Sequence, residues 1–353
     1  MNIALTADPE LPVPPQLYGG IERIVDMLAR GLVTRGHTVT VFAHRDSDTA
    51  GRLIPWAGRD SRSPGDTARN AATLAREVLR SRFEVVHSFS RIAYLTPILP
   101  LPVPKIMSYG RPISSWTVSL GHALSRRTLS FTAVSDWMMR DVRHIGRWSL
   151  VSNGVPLDTY TFAPKVLADA PLVFLGRVEE IKGPHLAIEI AKRAGSALVI
   201  AGNIPPEKKG WFDATVAPHI DGSQIHYVGA VDDPQKNALL RAARALLMPI
   251  LWDEPFGMVM AEAMACGTPV LGLRRGAVSE VVEDSVTGFV RDGLDSLAAC
   301  VDLLPQIDRV ACRMRVERLY SGDVIVSAYE TVYRQAIAGW ADAQRAATPP
   351  TAA

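Results

Sequence analysis

At 353 residues the chain exceeds the usual single-domain size, and 48% hydrophobic residues can fill two cores. A near balance of 38 Lys and Arg against 36 Asp and Glu, formal charge +2, excludes a chain-wide footprint for nucleic acid, so an anionic ligand must be caught locally. Cys266, Cys300 and Cys312 show no close metal-ligand spacing and no disulfide framework. The start MNIALTADPE carries no basic leader, and no apolar run approaches the roughly 20 residues a bilayer requires, so a cytoplasmic protein is expected.

Asn2 to Ala7 predicts a short buried strand. A Pro-rich loop ending in Tyr18-Gly19-Gly20 follows, then a helix over Ile21 to Thr34 and a strand over Val39 to Ala43. That order is a βαβ unit with parallel strands and a right-handed crossover. Glu84 to His87 and Lys105 to Ser108 read as further strands. His122 to Trp148 sets Arg126, Arg127, Arg140, Arg143 and Arg147 beside Trp137, Met138 and Met139. It reads as a solvated helix face packed by its apolar side, with the seat of a lipid or phosphorylated acceptor as the other reading.

The strand and helix alternation restarts at Pro171 to Leu175 and continues through Ala197 to Ala201, Ile225 to Val228, Ala245 to Pro249 and Pro269 to Gly272. The turn-rich Val151 to Pro164 is the expected linker. The expected domains are therefore an acceptor-side Rossmann-like domain over 1–152 and a nucleotide-sugar domain over 153–322. A C-terminal helix over 323–342 should pack back on the first domain, and 343–353 should be a disordered tail. In open α/β sheets ligands bind at the carboxyl ends of strands, so two such domains facing each other would hold a ligand in the crevice between them.

Glu254-Pro255-Phe256-Gly257-Met258-Val259-Met260-Ala261-Glu262 sets two carboxylates astride a helix start. The amides of Gly257, Met258 and Val259 would stand at the positive end of that helix, where a phosphate is favoured. Glu262 suits vicinal ribose hydroxyls. Glu254 suits sugar hydroxyls or positive charge at an anomeric carbon. Gly176 to Gly183 follows the first strand of the second half and carries Arg177 and Lys182, a fork and a point charge fit for a diphosphate leaving group. Gly19-Gly20 permits close backbone approach to a ligand, though a ligand-free strand-to-helix turn would use it too. Asp46-Ser47-Asp48 spells a D-x-D metal pattern, but it lies in a polar turn with nothing beside it to complete a shell of oxygen ligands, so no metal site is assigned.

With those residues in view, the chain resembles family 4 retaining glycosyltransferases. The likeness rests on PPQLYGGIERIVDMLARGLVTRGHTVTVFA, FLGRVEEIKGPHLAIEIAKRAG, RAARALLMPILWDEPFGMVMAEAMACGTPVLG and EVVEDSVTGFV, in order over nearly the whole chain. The resemblance implies an α/β GT-B fold, two Rossmann-like parallel-sheet domains facing each other across a cleft. It also implies metal-independent transfer, with retention, from a nucleoside-diphosphate sugar to a hydroxyl on a glycan, lipid-linked sugar or small natural product. Arg177 and Lys182 match the family's diphosphate contacts, Gly20 its donor-facing loop, and Glu254 and Glu262 its E-x7-E pair. In the family the leaving diphosphate itself helps take the acceptor proton. No cofactor is implied; a UDP- or GDP-sugar is the expected donor, and no nucleic-acid partner is expected. Peripheral contact at the inner face of a membrane and the oligomeric state stay open.

The chain departs from the pattern where relatives carry H-x-H and T-x-H-G, having His87-Ser88-Phe89 and Ser108-Tyr109-Gly110 instead. Tyr109 thus stands where a histidine commonly contacts the transferred sugar, as a second catalytic candidate; His87, ending a buried strand, reads as structural, with the acceptor side as its other reading. The alternatives are a nucleotide-sugar epimerase of the same fold and a degenerate relative that binds a sugar nucleotide without transferring it.

Overall fold

The computed structural model describes residues 1–16 and 19–347, with side chains through residue 340. The chain divides into two compact units, one of Met1–Ser152 with Ile325–Ala353 and one of Asn153–Val324.

The first unit is built on seven parallel strands: β1 (Asn2–Thr6), β2 (Thr38–Ala43), β3 (Arg52–Pro55), β4 (Val85–Ser88), β5 (Lys105–Tyr109), β6 (Leu129–Ala133) and β7 (Trp148–Leu150). They lie in the order β3-β2-β1-β4-β5-β6-β7, every neighbour parallel. Helices cover such a sheet on both faces, which is why β1 and β4 are buried almost without interruption. The helices here are α1 (Gly20–Thr34), α2 (Pro64–Arg80), α3 (Ile92–Leu95) and α4 (Ser115–Leu124). In α1 the buried Ile24, Val25, Leu28 and Leu32 form one stripe, while Arg23, Asp26 and Arg30 lie off it. Ser63 caps α2 by accepting a hydrogen bond from the Asp66 amide, with Pro64 in the first turn.

Strands β6 and β7 replace the helix expected within His122 to Trp148. Phe131 and Trp148 stack with ring centroids 4.9 Å apart across neighbouring strands, so their apolar side belongs to a sheet face. The C-terminal helix runs Gly322–Ala347, past the residue 342 expected as its end, because Asp-Ala-Gln-Arg-Ala-Ala contains no breaker. The expected tail lies, from residue 348, outside the described residues. Within the first unit this helix joins Glu330 to Arg35 and His37 at 2.7 Å each, and Tyr333 to His87 at 2.7 Å.

The second unit holds six parallel strands: β8 (Leu172–Leu175), β9 (Leu198–Ala201), β10 (Ile225–Tyr227), β11 (Leu246–Met248), β12 (Val270–Leu273) and β13 (Gly288–Arg291). Its helices are α5 (Pro184–Arg193), α6 (Lys209–Thr215), α7 (Asp233–Ala242), α8 (Met258–Ala265), α9 (Val278–Val281), α10 (Leu294–Ala299) and α11 (Arg309–Leu319). The strand order β10-β9-β8-β11-β12-β13 runs outward from β8 to β10, then crosses back to place β11 on the other side of β8. The carboxyl ends of β8 and β11 therefore border the topological switch point, where loops diverge and leave a crevice.

Candidate active site

The two loops leaving this switch point carry the residues singled out from the sequence. The loop after β8 holds Arg177 and Lys182, and the loop after β11 holds Glu254. Their backbones are tied where the Leu251 amide donates to the Ile181 carbonyl at 2.8 Å. Lys182 Nζ reaches Glu254 Oε2 at 2.6 Å, their side chains 17% and 11% exposed, and sits 4.6 Å from the centre of the Trp252 ring. Trp252 Nε1 donates to the same carboxylate oxygen at 3.0 Å. A charge-assisted hydrogen bond largely sheltered from water contributes roughly 1.5–3 kcal/mol, enough to hold this pair in one geometry. Arg177 Nη2 pairs with the buried Glu179 at 2.8 Å, which anchors the guanidinium at the start of its loop.

Gly276 is a further determinant of this geometry. Its φ is 51°, and a Cβ there would lie 2.4 Å from both the amide nitrogen and the carbonyl oxygen of Glu254. The Ala277 amide then donates to the Glu254 carbonyl at 2.8 Å. Only glycine lets the segment after β12 press so closely on the Glu254 backbone.

After Glu254 the chain turns through Gly257, at φ 76°, into α8. Met260 N already bonds the Gly257 carbonyl at 2.9 Å, so the amides of Gly257, Met258 and Val259 precede the helical ladder, at the positive end of the helix. Met258 and Val259 are half-buried, whereas Met260 to Ala265 are wholly buried. Glu262, 5% exposed, accepts at Oε1 from Tyr160 OH at 2.9 Å and from Lys236 Nζ at 2.8 Å. Lys236 in turn lies 5.1 Å from the centre of the Tyr160 ring. The structure thus brings Lys182 and Glu254 into direct contact, sets Gly257 beside the Glu254 side chain, and holds Glu262 within α8 through a second cation.

Tyr160, Lys236, Trp252 and Gly276 were not singled out by the sequence reading. Glu262 and Glu254 acquire these partners through tertiary folding, and only the short stretch from Trp252 to Glu254 could have suggested one of them.

In the first unit Gly20 opens α1. His87 is not a surface for an acceptor: it is 0% exposed, with Nδ1 bonded to Tyr333 OH at 2.7 Å and Nε2 to Ser108 Oγ at 2.6 Å. Burial pushes its pKa down to about 3, so the imidazole stays neutral and joins a polar cluster with Thr132 and Tyr329. Tyr109 ends β5. Its ring packs toward Phe131 and Trp148, and its hydroxyl is buried with no hydrogen bond among the described residues. Burial lifts its pKa to about 12. In the D-x-D stretch, Asp46 is 75% exposed beside His44, and Ser47 Oγ accepts from the Val13 amide at 2.9 Å, a turn-stabilising arrangement. A separate cavity of about 320 Å³ opens at the carboxyl ends of β5 and β6, lined by Pro112, Ile113, Trp137, Met138 and Arg140 among others.

Two family profiles match successive parts of the chain, Glycosyltransferase Family 4 over residues 18–159 and Glycosyl transferases group 1 over 164–306. A phosphatidyl-myo-inositol mannosyltransferase of Mycobacterium leprae is 28% identical over 372 residues, covering 94% of this chain and 96% of its own. Among solved structures, AviGT4, a glycosyltransferase involved in avilamycin A biosynthesis, is similar with a TM-score of 0.72 and 24% identity over 96% of this chain and 98% of that one. HepE of Anabaena, in complex with UDP and glucose, gives a TM-score of 0.71 at 16% identity over 95% of this chain and 100% of that one. Matches to both units, one profile on each, together with two Rossmann-like parallel sheets, show that the chain belongs to the family 4 glycosyltransferases of GT-B fold and is an enzyme of that class.

Proposed function

We propose that the enzyme transfers a sugar from a nucleoside-diphosphate donor to a hydroxyl acceptor, with retention of anomeric configuration and without a metal ion. The observation that carries this reading is the Lys182–Glu254 pair at the switch point between β8 and β11, beside the left-handed entry into α8. A cation held beside a carboxylate supports a reading in which the one meets a diphosphate and the other a sugar.

In this reading Arg177 and Lys182 neutralise the diphosphate as it leaves, the work a divalent ion does in other transferases. The amides of Gly257, Met258 and Val259 face the same charge. Lys182 has three protons, so it can serve a phosphate oxygen while keeping Glu254 in place. Glu254 then holds sugar hydroxyls and favours positive charge at the anomeric carbon. Glu262, its Oε1 fixed by Tyr160 and Lys236, turns its other oxygen to the ribose. The bond from the anomeric carbon to the phosphate oxygen breaks as the acceptor oxygen bonds on the same face, and the acceptor's proton passes to the departing phosphate. The protein supplies no nucleophile. The cavity lined by Trp137, Arg140 and Asp141 suits an acceptor with an apolar face and hydroxyl groups. UDP is the nucleotide named for HepE, and a UDP- or GDP-sugar is the donor we expect.

The test is a thermal-shift panel of UDP- and GDP-sugars, since a ligand that binds the folded state raises the melting temperature with its affinity. Transfer from the selected donor is then followed with and without EDTA, and the anomeric configuration of the product is read by NMR. Unchanged turnover in EDTA and a retained anomer are expected. A rate abolished by EDTA and restored by a divalent ion, or an inverted anomer, refutes the mechanism, and donor epimerised without acceptor refutes transfer.

A further inference from the structure

We infer that α4 and the turn that ends it form a docking element for the surface of an anionic lipid bilayer. The inner side of α4 is buried at Val118 and Gly121. Its outer side exposes Trp116 at 69%, Leu120 at 43% and Leu124 at 44%. Spaced four residues apart, these three side chains stand on one stripe of the helix, flanked by the small exposed residues Ser119 and Ala123. A large aromatic with two leucines on one exposed stripe is what an interfacial helix presents to the headgroup boundary.

Charge selects the occupant. No Asp or Glu occurs between Glu84 and Asp136, although the chain as a whole is nearly balanced at 38 cationic and 36 anionic residues. The same interval holds Arg91, Arg111, Arg126 and Arg127, and the last two lie directly at the end of the apolar stripe. They occupy a tight turn in which the Thr128 amide donates to the Ser125 carbonyl at 3.0 Å, with φ of 49° at Arg126 and 66° at Arg127. Two consecutive left-handed positions normally take Gly, Asn or Asp, and side chains with a Cβ are strained there. Arginine at both positions sacrifices backbone comfort to put two exposed guanidiniums at one spot. Arg147 adds a third by donating to the Arg127 carbonyl at 2.9 Å. A neutral or cationic surface would gain nothing from the arginines, whereas a bilayer that takes up the three exposed apolar side chains among anionic headgroups satisfies both halves of the arrangement. The inference is independent of the transfer reading, since it needs no donor or acceptor.

The experiment is co-sedimentation of the full-length protein with vesicles of phosphatidylcholine alone or mixed with phosphatidylglycerol. Binding to the mixed vesicles is expected, weakened by salt, and absent on pure phosphatidylcholine. Trp116→Ser with Leu120→Ser should reduce it at least about tenfold. Arg126→Gly with Arg127→Gly should reduce it similarly while the melting temperature holds or rises, because glycine relaxes the turn; a misfolded variant would melt lower. Failure of the wild type to bind, or equal binding by both double variants, overturns the inference. So does a concentration-dependent dimer that Trp116→Ser dissolves, which would make the stripe a contact between copies.

Discussion

The Lys182–Glu254 pair makes the sharpest test of the site because both its members are named and its geometry is closed. Lys182→Met removes a cation whose 2.6 Å bond to Glu254 is largely shielded, and a bond of that class is worth roughly 1.5–3 kcal/mol. If the same cation also meets the leaving group, kcat/KM should fall about 10- to 100-fold, at roughly 1.4 kcal/mol per tenfold. Glu254→Gln keeps the shape and can still accept from Trp252 Nε1, now 3.0 Å away, yet it loses the charge that faces the anomeric carbon; a fall of at least about tenfold is expected. The decisive variant carries both changes. Groups that act as one unit are non-additive, so the double variant should be little slower than the worse single one, a coupling of about 1–3 kcal/mol. The assay is the initial rate of nucleoside diphosphate release, with the donor that the thermal-shift panel selects. If the double variant shows the product of the two single losses within about 0.5 kcal/mol, the residues work independently and the reasoning fails.

Three further expectations follow from the same structure. Gly276→Ala would force a Cβ to 2.4 Å from the Glu254 backbone, so turnover should drop at least about tenfold while far-ultraviolet circular dichroism stays native; wild-type turnover would show that this contact does not position Glu254. Tyr109→Phe removes a buried hydroxyl that has no hydrogen bond among the described residues. The melting temperature should hold or rise, by up to about 1 kcal/mol of stability, with kcat unchanged, whereas a lower kcat would return that hydroxyl to the chemistry. His87 titrates near 3 when folded against about 6.5 unfolded, so the unfolded chain binds the extra proton between those values. Its contribution is complete above about pH 6.5 and is lost as pH falls toward 3, amounting to about 2 kcal/mol by pH 5. Melting curves from pH 7.5 to 5 should therefore fall more steeply for the wild type than for His87→Asn, and parallel curves would refute the assignment.

Much of the architecture is legible in the residues because interior parallel strands are buried on both faces. The apolar runs of β1, β8 and β11 announce themselves for that reason. The edges do not. β3 is Arg52-Leu53-Ile54-Pro55, half-exposed and ending in a proline, and β7 is only Trp148-Ser149-Leu150. Strand β6 hides because Ser130 and Thr132 alternate with its apolar residues. At the site, Glu254 and Glu262 could be read from their spacing around a helix start, since both belong to one local stretch. Their partners could not: Tyr160 meets Glu262 across 102 positions, and Lys182 meets Glu254 across 72. The partner of His87 was hidden for the same reason, the hydroxyl of Tyr333 lying 246 positions downstream.

That last separation bears on biosynthesis. The histidine on β4 and the serine on β5 receive their hydroxyl partners from Tyr329 and Tyr333, near the far end of the polypeptide, while Asn153–Val324 intervenes as a whole unit of its own. On the ribosome the inserted unit has all of its residues before the one that was begun first. The amino-terminal sheet must wait for the final helix to emerge, and a premature stop ahead of Tyr329 would cripple the half of the enzyme that had already been translated.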